Sequence, residues 1–260
     1  MADSLPRAVG RVEIVRLPER ERRRDAVAIE EPLEIRIDGA PLAVTMRTPG
    51  HDEELALGFC VSEGIPAVSA GATADLAANT VEIESRSFDR GRVQRSFYTS
   101  SSCGVCGKGA LEAVVLEIPR VESRLIVRSG IIAGLPGVLR ASQEAFAATG
   151  GLHAAGVFDS NGSLLCLRED VGRHNALDKV VGWAFLARRL PLWDAMLCLS
   201  GRISFELVQK AAAAGCPILA AVGAPSSLAI ELADDRGVTL CGFVRHGHFN
   251  VYTEPWRVRD

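Results

Sequence analysis

Apolar and polar residues alternate over Glu34-Ile-Arg-Ile-Asp-Gly39, and Leu42-Ala-Val-Thr-Met46 follows the Asp-Gly step. That pattern predicts a β-hairpin. Beyond the breaker Pro49-Gly50, the stretch Asp52 to Glu63 predicts a helix. Asp52 is placed as its N-cap, and the acids fall in the first turn, where the helix dipole favours them. Val81-Glu-Ile-Glu84 alternates and predicts a short strand. The first half therefore reads as small and α+β. Ahead of it the first 25 residues are polar, and the charge run Glu19 to Asp25 reads as solvated surface or a frayed segment.

The second half has a cleaner rhythm. Leu152 to Phe158 and Leu164 to Leu167 predict strands joined through Asn161-Gly162, a strong hairpin signal. A helix is predicted from about Gly172 to Arg189, because Leu177, Val180, Val181, Ala184 and Phe185 share one face. Buried strands follow at Met196–Leu199 and Pro217–Val222, with a helix between them at Ile203–Ala214 that stops at Gly215. Ser226–Ala233 predicts a short helix, Val238–Val244 a strand, and Phe249–Thr253 closes the pattern. Strands alternating with helices imply a sheet covered on both faces, an α/β layered domain. The boundary falls between Val121 and Ser129, dividing residues 1–125 from 126–260.

Composition narrows the class. With 48% hydrophobic residues, 23% charged residues and a net charge of −3 over 260 residues, the chain is globular rather than disordered. No apolar run reaches the ~18 residues needed to span a bilayer. Met1 to Leu17 holds no continuous apolar stretch of the kind a secretory signal needs. A pI near 6.0 gives no electrostatic footprint for nucleic acid. The expected setting is cytoplasmic, with no membrane and no nucleic-acid partner. Seven cysteines, an odd number, read as reduced thiols rather than a disulfide scaffold. Cys166, Cys198, Cys216 and Cys241 lie within or beside apolar runs and read as small core residues.

Cys103 and Cys106 differ. Between Ser96 and Gly109, four serines and three glycines erase both periods and mark a solvated loop around Cys103-Gly-Val-Cys106. Several readings compete. Structural zinc would need a second cysteine pair or well-spaced histidines, and His246 and His248 stand too close together. A thioredoxin-like pair would open a helix after a strand, which these flanks do not suit. A nucleophilic thiol fits better, because Lys108, one of three lysines, sits two residues from Cys106 and favours the thiolate. Two incidental cysteines in a loop remain the plain alternative.

Three strand-to-helix turns suggest an anion. In Arg168-Glu-Asp-Val-Gly-Arg-His-Asn-Ala-Leu-Asp-Lys179, Asp170 is read as the helix cap. Arg173 and His174 stand in the first turn, and His174 shares a hydrogen bond with Asp178 one turn on. The plain alternative is a capped helix with surface charges. Ser200-Gly201-Arg202 and Ala221-Val-Gly-Ala-Pro-Ser-Ser227 repeat the theme at strand ends, where α/β sheets bind ligands. Phe243-Val244-Arg245-His246-Gly247-His248 adds an arginine for phosphate and rings for stacking, against the alternative of a polar hairpin turn.

Together, Ser-Ser-Cys-Gly-Val-Cys-Gly, Gly-Gly-Leu-His-Ala-Ala-Gly, Arg-Glu-Asp-Val-Gly-Arg-His-Asn-Ala-Leu-Asp-Lys, Ser-Gly-Arg-Ile-Ser-Phe-Glu-Leu and Gly-Phe-Val-Arg…Tyr-Thr resemble the formate dehydrogenase accessory family, FdhD/NarQ. The likeness runs from about Glu30 to Thr253. It implies a cytidine-deaminase-like three-layer α/β domain with a smaller N-terminal α+β domain, assembled as a homodimer. It implies a cytoplasmic sulfurtransferase that takes persulfide sulfur from a cysteine desulfurase. The sulfur passes to the molybdenum (or tungsten) bis-guanine-dinucleotide pterin cofactor, a bound substrate rather than a resident group, before insertion into formate dehydrogenase. Carried over by motif, Cys103 bears the persulfide and Cys106 assists, while Phe243 to His248 hold a guanine-dinucleotide end. Arg173, His174, Gly201 and Arg202 are the expected phosphate-side residues, and no metal site is expected.

A zinc deaminase is a rival of the same fold. It needs His-x-Glu followed downstream by Pro-Cys-x-x-Cys. Here His153-Ala154-Ala155 has alanine in the glutamate position and the Cys-x-x-Cys lies upstream, so deamination is rejected. Two alternatives stay open: a cofactor-binding chaperone without sulfur transfer, and a thiol-disulfide oxidoreductase.

Overall fold

The computed structural model describes residues 8–71, 79–85 and 118–260. The Cys-x-x-Cys segment, with Cys103, Cys106 and Lys108, lies outside the described residues.

The polar N-terminal stretch forms a two-stranded antiparallel ribbon, β1 (Val9–Arg16) and β2 (Glu21–Ala28). Of the two readings of Glu19 to Asp25, solvated surface holds and fraying does not, since most of the ribbon is exposed but paired. Its register sets Glu13 opposite Arg24 and Arg16 opposite Glu21, opposite charges that suit cross-strand pairing. At its base Val9, Ala26 and Ala28 pack with Ala145, Phe146 and Leu152.

The predicted hairpin is β3 (Glu31–Ile37) and β4 (Ala40–Arg47). Asp38 and Gly39 both take positive φ, 46° and 77°, as a two-residue primed turn requires. Then come α1 (Asp52–Ser62), β5 (Ala67–Gly71) and β6 (Thr80–Ser85). The sheet runs β4-β3-β6-β5, and Leu33, Ile35 and Ile37 meet Leu55, Ala56 and Cys60 of α1 in one core. The N-cap of α1 is His51 in a left-handed conformation, not Asp52. Asp52 is drawn off by Arg47, which grips both carboxylate oxygens at 3.0 Å.

Past the short β7 (Val127–Arg128) lies α2 (Ser129–Ala141), for which the hydrophobic pattern gives no element. Gly130, Gly134, Pro136 and Gly137 mask it in the sequence. It forms because Ile132, Leu135 and Leu139 share one buried face. A short α3 (Glu144–Thr149) leads into β8 (His153–Asp159) and β9 (Leu164–Asp170), paired around Asn161-Gly162 as predicted. The remainder is α4 (Arg173–Leu186), β10 (Ala195–Leu199), α5 (Phe205–Ala213), β11 (Ile218–Ala221), α6 (Ser227–Arg236), β12 (Thr239–Arg245), β13 (His248–Val251) and β14 (Val258–Arg259).

The larger sheet runs β13-β12-β11-β10-β8-β9, with β10, β11 and β12 parallel and the flanking pairs antiparallel. Successive side chains point to opposite faces. Leu197, Leu199, Leu219 and Leu240 meet α4, α5 and α6, while Met196, Cys198, Ile218 and Cys241 meet α2. Helices cover both faces, which explains why these strands read as unbroken apolar runs. The architecture is mixed α/β.

Helix α1 crosses α4 at very close range. A Cβ on Gly58 would strike the Asp178 carbonyl, and one on Gly182 would strike that of Glu54. Charged groups of the β9–α4 stretch fasten the crossing. Arg168 grips Glu54 at 2.5 and 2.7 Å. Asp170, fully buried, binds Lys179 Nζ at 2.7 Å and accepts the backbone N–H groups of Thr48 and Gly172. Asp178 holds Lys210 through both oxygens at 2.8 Å and accepts the Ser62 hydroxyl at 2.9 Å. Asp170 therefore does not cap α4, whose N-cap, Gly172, lies two residues further on.

Candidate functional site

A cavity of about 620 Å³ opens beyond the carboxyl ends of the parallel strands, on the α2 side of the sheet. Ser200, Val222 and Val244-Arg245-His246 supply its floor from the ends of β10, β11 and β12. Its walls are Arg140 in the last turn of α2, Gln143 just after it, Phe146 of α3, and Gly151-Leu152-His153 at the start of β8. Strand ends at this edge are where open α/β sheets hold ligands, because loops there can reach a molecule without disturbing the ladder.

The local chain explains each placement. After Val244 the β12–β13 turn places His246 and Gly247 at φ 53° and 78°. That turn leaves Arg245 exposed over the mouth, its guanidinium 5.6 Å from the Phe243 ring. Ser200 accepts the Ala154 N–H at 2.8 Å and so ties β10 to β8 at the cavity edge. Gly223 admits the Gly201–Arg202 backbone, since a Cβ there would stand 2.8 Å from the Gly201 carbonyl. Arg140 lies over the Phe146 ring at 4.4 Å, a cation–π contact that fixes both on the wall.

Of the predicted binding residues, Val244, Arg245 and His246 line the cavity, while Phe243, Gly247 and His248 lie on the hairpin beyond its lining. Arg173, His174, Gly201 and Arg202 gather behind His153 rather than on the lining itself. Arg173, His174 and Arg202 all act electrostatically on that imidazole, and Gly201 packs so close to it that a Cβ there would stand 3.3 Å from its Nδ1. His174 does not pair with Asp178. Its Nε2 lies 2.7 Å from Glu206 and 3.3 Å from the Ser204 hydroxyl, because α5 comes closer than the next turn of α4. That bond holds the Glu206 carboxyl below its usual range against the opposing effect of burial. In the third turn, Ser226 spends its hydroxyl on the N-cap of α6, accepting Ala229 N–H at 3.2 Å.

Two buried donors near the cavity, Gln143 Nε2 and Arg173 Nε, have no hydrogen-bond partner among the described residues. Buried polar groups are normally satisfied. Orphaned donors, two arginines on the wall and two more behind His153 suit an anionic ligand. Sequence reasoning missed His153, Gln143, Arg140 and Phe146 as lining residues. The Gly150-Gly151-Leu-His153 start of β8 was the one local signal, since paired glycines ahead of a strand admit close approach.

Among the described residues no cluster of three His, Cys, Asp or Glu side chains could hold a metal ion. Cys216 is buried, and its thiol donates to backbone carbonyls at 3.4 and 3.5 Å. Among the described residues no helix is long and apolar enough to cross a membrane.

Comparison with known proteins agrees in one direction. The FdhD/NarQ family matches residues 28–259. Proteins named sulfur carrier protein FdhD are similar over nearly the whole chain. The one from Mycobacterium tuberculosis is 47% identical over 91% of this chain and 92% of its own. That of Nocardia farcinica is 48% identical over 98% and 96%, and that of Sulfolobus acidocaldarius 45% identical over 90% and 91%. A crystal structure from Desulfotalea psychrophila, described as a candidate formate dehydrogenase accessory protein, shares the fold. Its TM-score is 0.75 at 24% identity, covering 96% of this chain and 98% of that one. The chain belongs to the FdhD/NarQ family.

Proposed function

We propose that the protein is a sulfur carrier acting as a sulfurtransferase. It takes persulfide sulfur from a cysteine desulfurase and delivers it to the molybdenum (or tungsten) bis-guanine-dinucleotide pterin cofactor before that substrate enters formate dehydrogenase. The observation that carries the binding half is the cavity at the ends of β10 to β12, with Arg140, Arg245 and His246 on its wall. Its volume of about 620 Å³ suits one phosphate-bearing end of such a molecule. The relatives' shared name, sulfur carrier protein, supports the transfer half.

In this reading residues 1–125 carry the thiols and residues 126–260 the cavity, the latter as a cytidine-deaminase-like α/β domain. The helices on both faces of its sheet support that description. The working form is a cytoplasmic homodimer without a resident cofactor.

The steps balance. The Cys103 thiolate attacks the outer sulfur of the donor persulfide, and the donor cysteine leaves as thiolate. Arg245, with Arg173 and Arg202 near His153, holds the phosphates, while the Phe243 to His248 hairpin holds the guanine. The Cys106 thiolate then attacks the inner sulfur of Cys103. Hydrosulfide leaves and becomes the metal's ligand. The two cysteines remain as a disulfide, which an external dithiol reduces with two electrons. Lys108, two residues from Cys106, favours the thiolate.

The test is intact-protein mass spectrometry after incubation with a cysteine desulfurase and cysteine, followed by peptide mapping. A reducible sulfur adduct on Cys103, and loss of formate dehydrogenase activation in a folded Cys103→Ala variant, are expected. No adduct with guanine-nucleotide binding intact would instead favour the cofactor chaperone.

A further inference from the structure

We propose that His153 takes up a proton when a phosphate-bearing ligand enters the cavity, so that ligand and proton bind together. This rests on the reading of the cavity as a phosphate-ligand site.

His153 opens β8, is half-buried and lines the cavity. No hydrogen bond engages either of its ring nitrogens among the described residues, and Gly201 packs beside the ring, where a Cβ would stand 3.3 Å from Nδ1. The groups around it are mostly cationic. Arg173 and His174 face it from the start of α4, and Arg202 from the turn after β10. Arg140, Arg245 and His246 share the cavity wall with it. The carboxylate of Asp170 on β9 acts against them, and it is bound to Lys179. Burial first, and then the Arg173 charge, hold the imidazole below its ordinary value. In the empty cavity it is therefore neutral near pH 7 and offers an unused acceptor.

A phosphate changes the balance. Negative charge at the wall favours the imidazolium, which then donates a charge-assisted hydrogen bond. The bound-state value rises above the free-state one, so binding draws in a proton between the two. Affinity increases as pH falls through the bound-state value and levels off below the free-state value. One proton linked in this way changes affinity by at most about tenfold per pH unit. The ring of His174 is already engaged by Glu206 and Ser204. His246 is exposed on the β12–β13 turn.

The test is titration calorimetry with guanosine diphosphate mannose, both of whose phosphates are esterified and keep their charge from pH 5.5 to 8.5. Runs in buffers of different ionisation enthalpy count the protons. Wild type is expected to take up a proton fraction approaching one and to bind more tightly as pH falls. His153→Gln and His153→Asn should each bind with buffer-independent heat and a flat pH profile. His174→Gln and His246→Gln should keep the uptake, whatever their affinity. Binding without uptake in wild type, or uptake intact in both His153 variants, overturns the inference and leaves the nucleotide site standing. No binding at any pH overturns the site and the inference together.

Discussion

Gly58 of α1 lies directly against the backbone carbonyl of Asp178 in α4, at a separation no side chain can enter. Gly182 repeats the relationship one turn on against Glu54. Gly58→Ala must spread the two helices, because backbone cannot step aside as a flexible side chain can. Its cost should reach the upper end of the ~1–3 kcal/mol typical of overpacking. Gly134, exposed in α2 with open space at its Cβ, is the control. Gly134→Ala should stabilise by roughly 1 kcal/mol. Urea unfolding of the two variants checks both signs.

The Lys179–Asp170 pair is sealed from solvent. Lys179→Met removes one partner and strands a buried carboxylate, which should cost about 3–5 kcal/mol. Adding Asp170→Asn to it should recover part of the loss, since no charge is then left unpaired. A double-mutant cycle by chemical denaturation measures the recovery; strictly additive losses would contradict it.

Glu63 closes α1 in a partly buried position. Burial pushes its carboxyl up, Asp178 and Glu206 add to that, and Lys210 opposes them. The folded state therefore holds this proton more tightly than the unfolded chain. Stability is lost as pH rises from the ordinary glutamate value, about 4.3, through the raised one. Glu63→Gln should raise the melting temperature at pH 7 and leave it unchanged at pH 4. Scanning calorimetry at the two values decides, and an equal shift at both would exclude the assignment.

Five cysteines are sealed in the structure: Cys60, Cys166, Cys198, Cys216 and Cys241. Burial pushes the thiols of Cys60, Cys166, Cys216 and Cys241 up to about 12 and raises that of Cys198. Iodoacetamide reacts with thiolate, so the native protein at pH 7.5 should be labelled at no position other than Cys103 and Cys106. Peptide mapping before and after denaturation reads this directly. Labelling of Cys166 in the native state would show that the core opens.

Arg245 is exposed and holds no carboxylate in an ion pair among the described residues. Its removal costs the fold little. Arg245→Ala should weaken guanosine diphosphate binding by on the order of tenfold to a hundredfold, the worth of one hydrogen bond to a charged group. Its melting temperature should stay within a degree or two of wild type, as surface substitutions do. Affinity measured by calorimetry, unchanged by the substitution, would remove Arg245 from the site.

The parts of this molecule legible in its sequence are those encoded within a few residues. Asp38-Gly39 and Asn161-Gly162 announce their hairpins, and the apolar runs at β10 and β11 announce a sheet covered on both sides. Helix α2 was hidden by its own glycines and Pro136, because propensity hides a face that only tertiary packing reveals. The cavity was half legible. Val244-Arg245-His246 sit at a strand end that motif reading can find, but Arg140, Gln143 and Phe146 come from a segment with no signal of its own. The charges of the Arg168 to Lys179 stretch were misassigned for a related reason. Their partners Glu54, Thr48 and Ser62 lie more than a hundred residues away.

That last arrangement bears on saturation mutagenesis of the chain. A growth screen for the proposed function would score Arg168 to Lys179 as one continuous block of intolerance. The block would conceal two populations: variants at Arg168, Asp170, Asp178 and Lys179 would vanish from the soluble fraction, whereas those at Arg173 would persist as abundant, inactive protein. Abundance measured beside fitness at every position would separate the clasp from the pocket it stands next to.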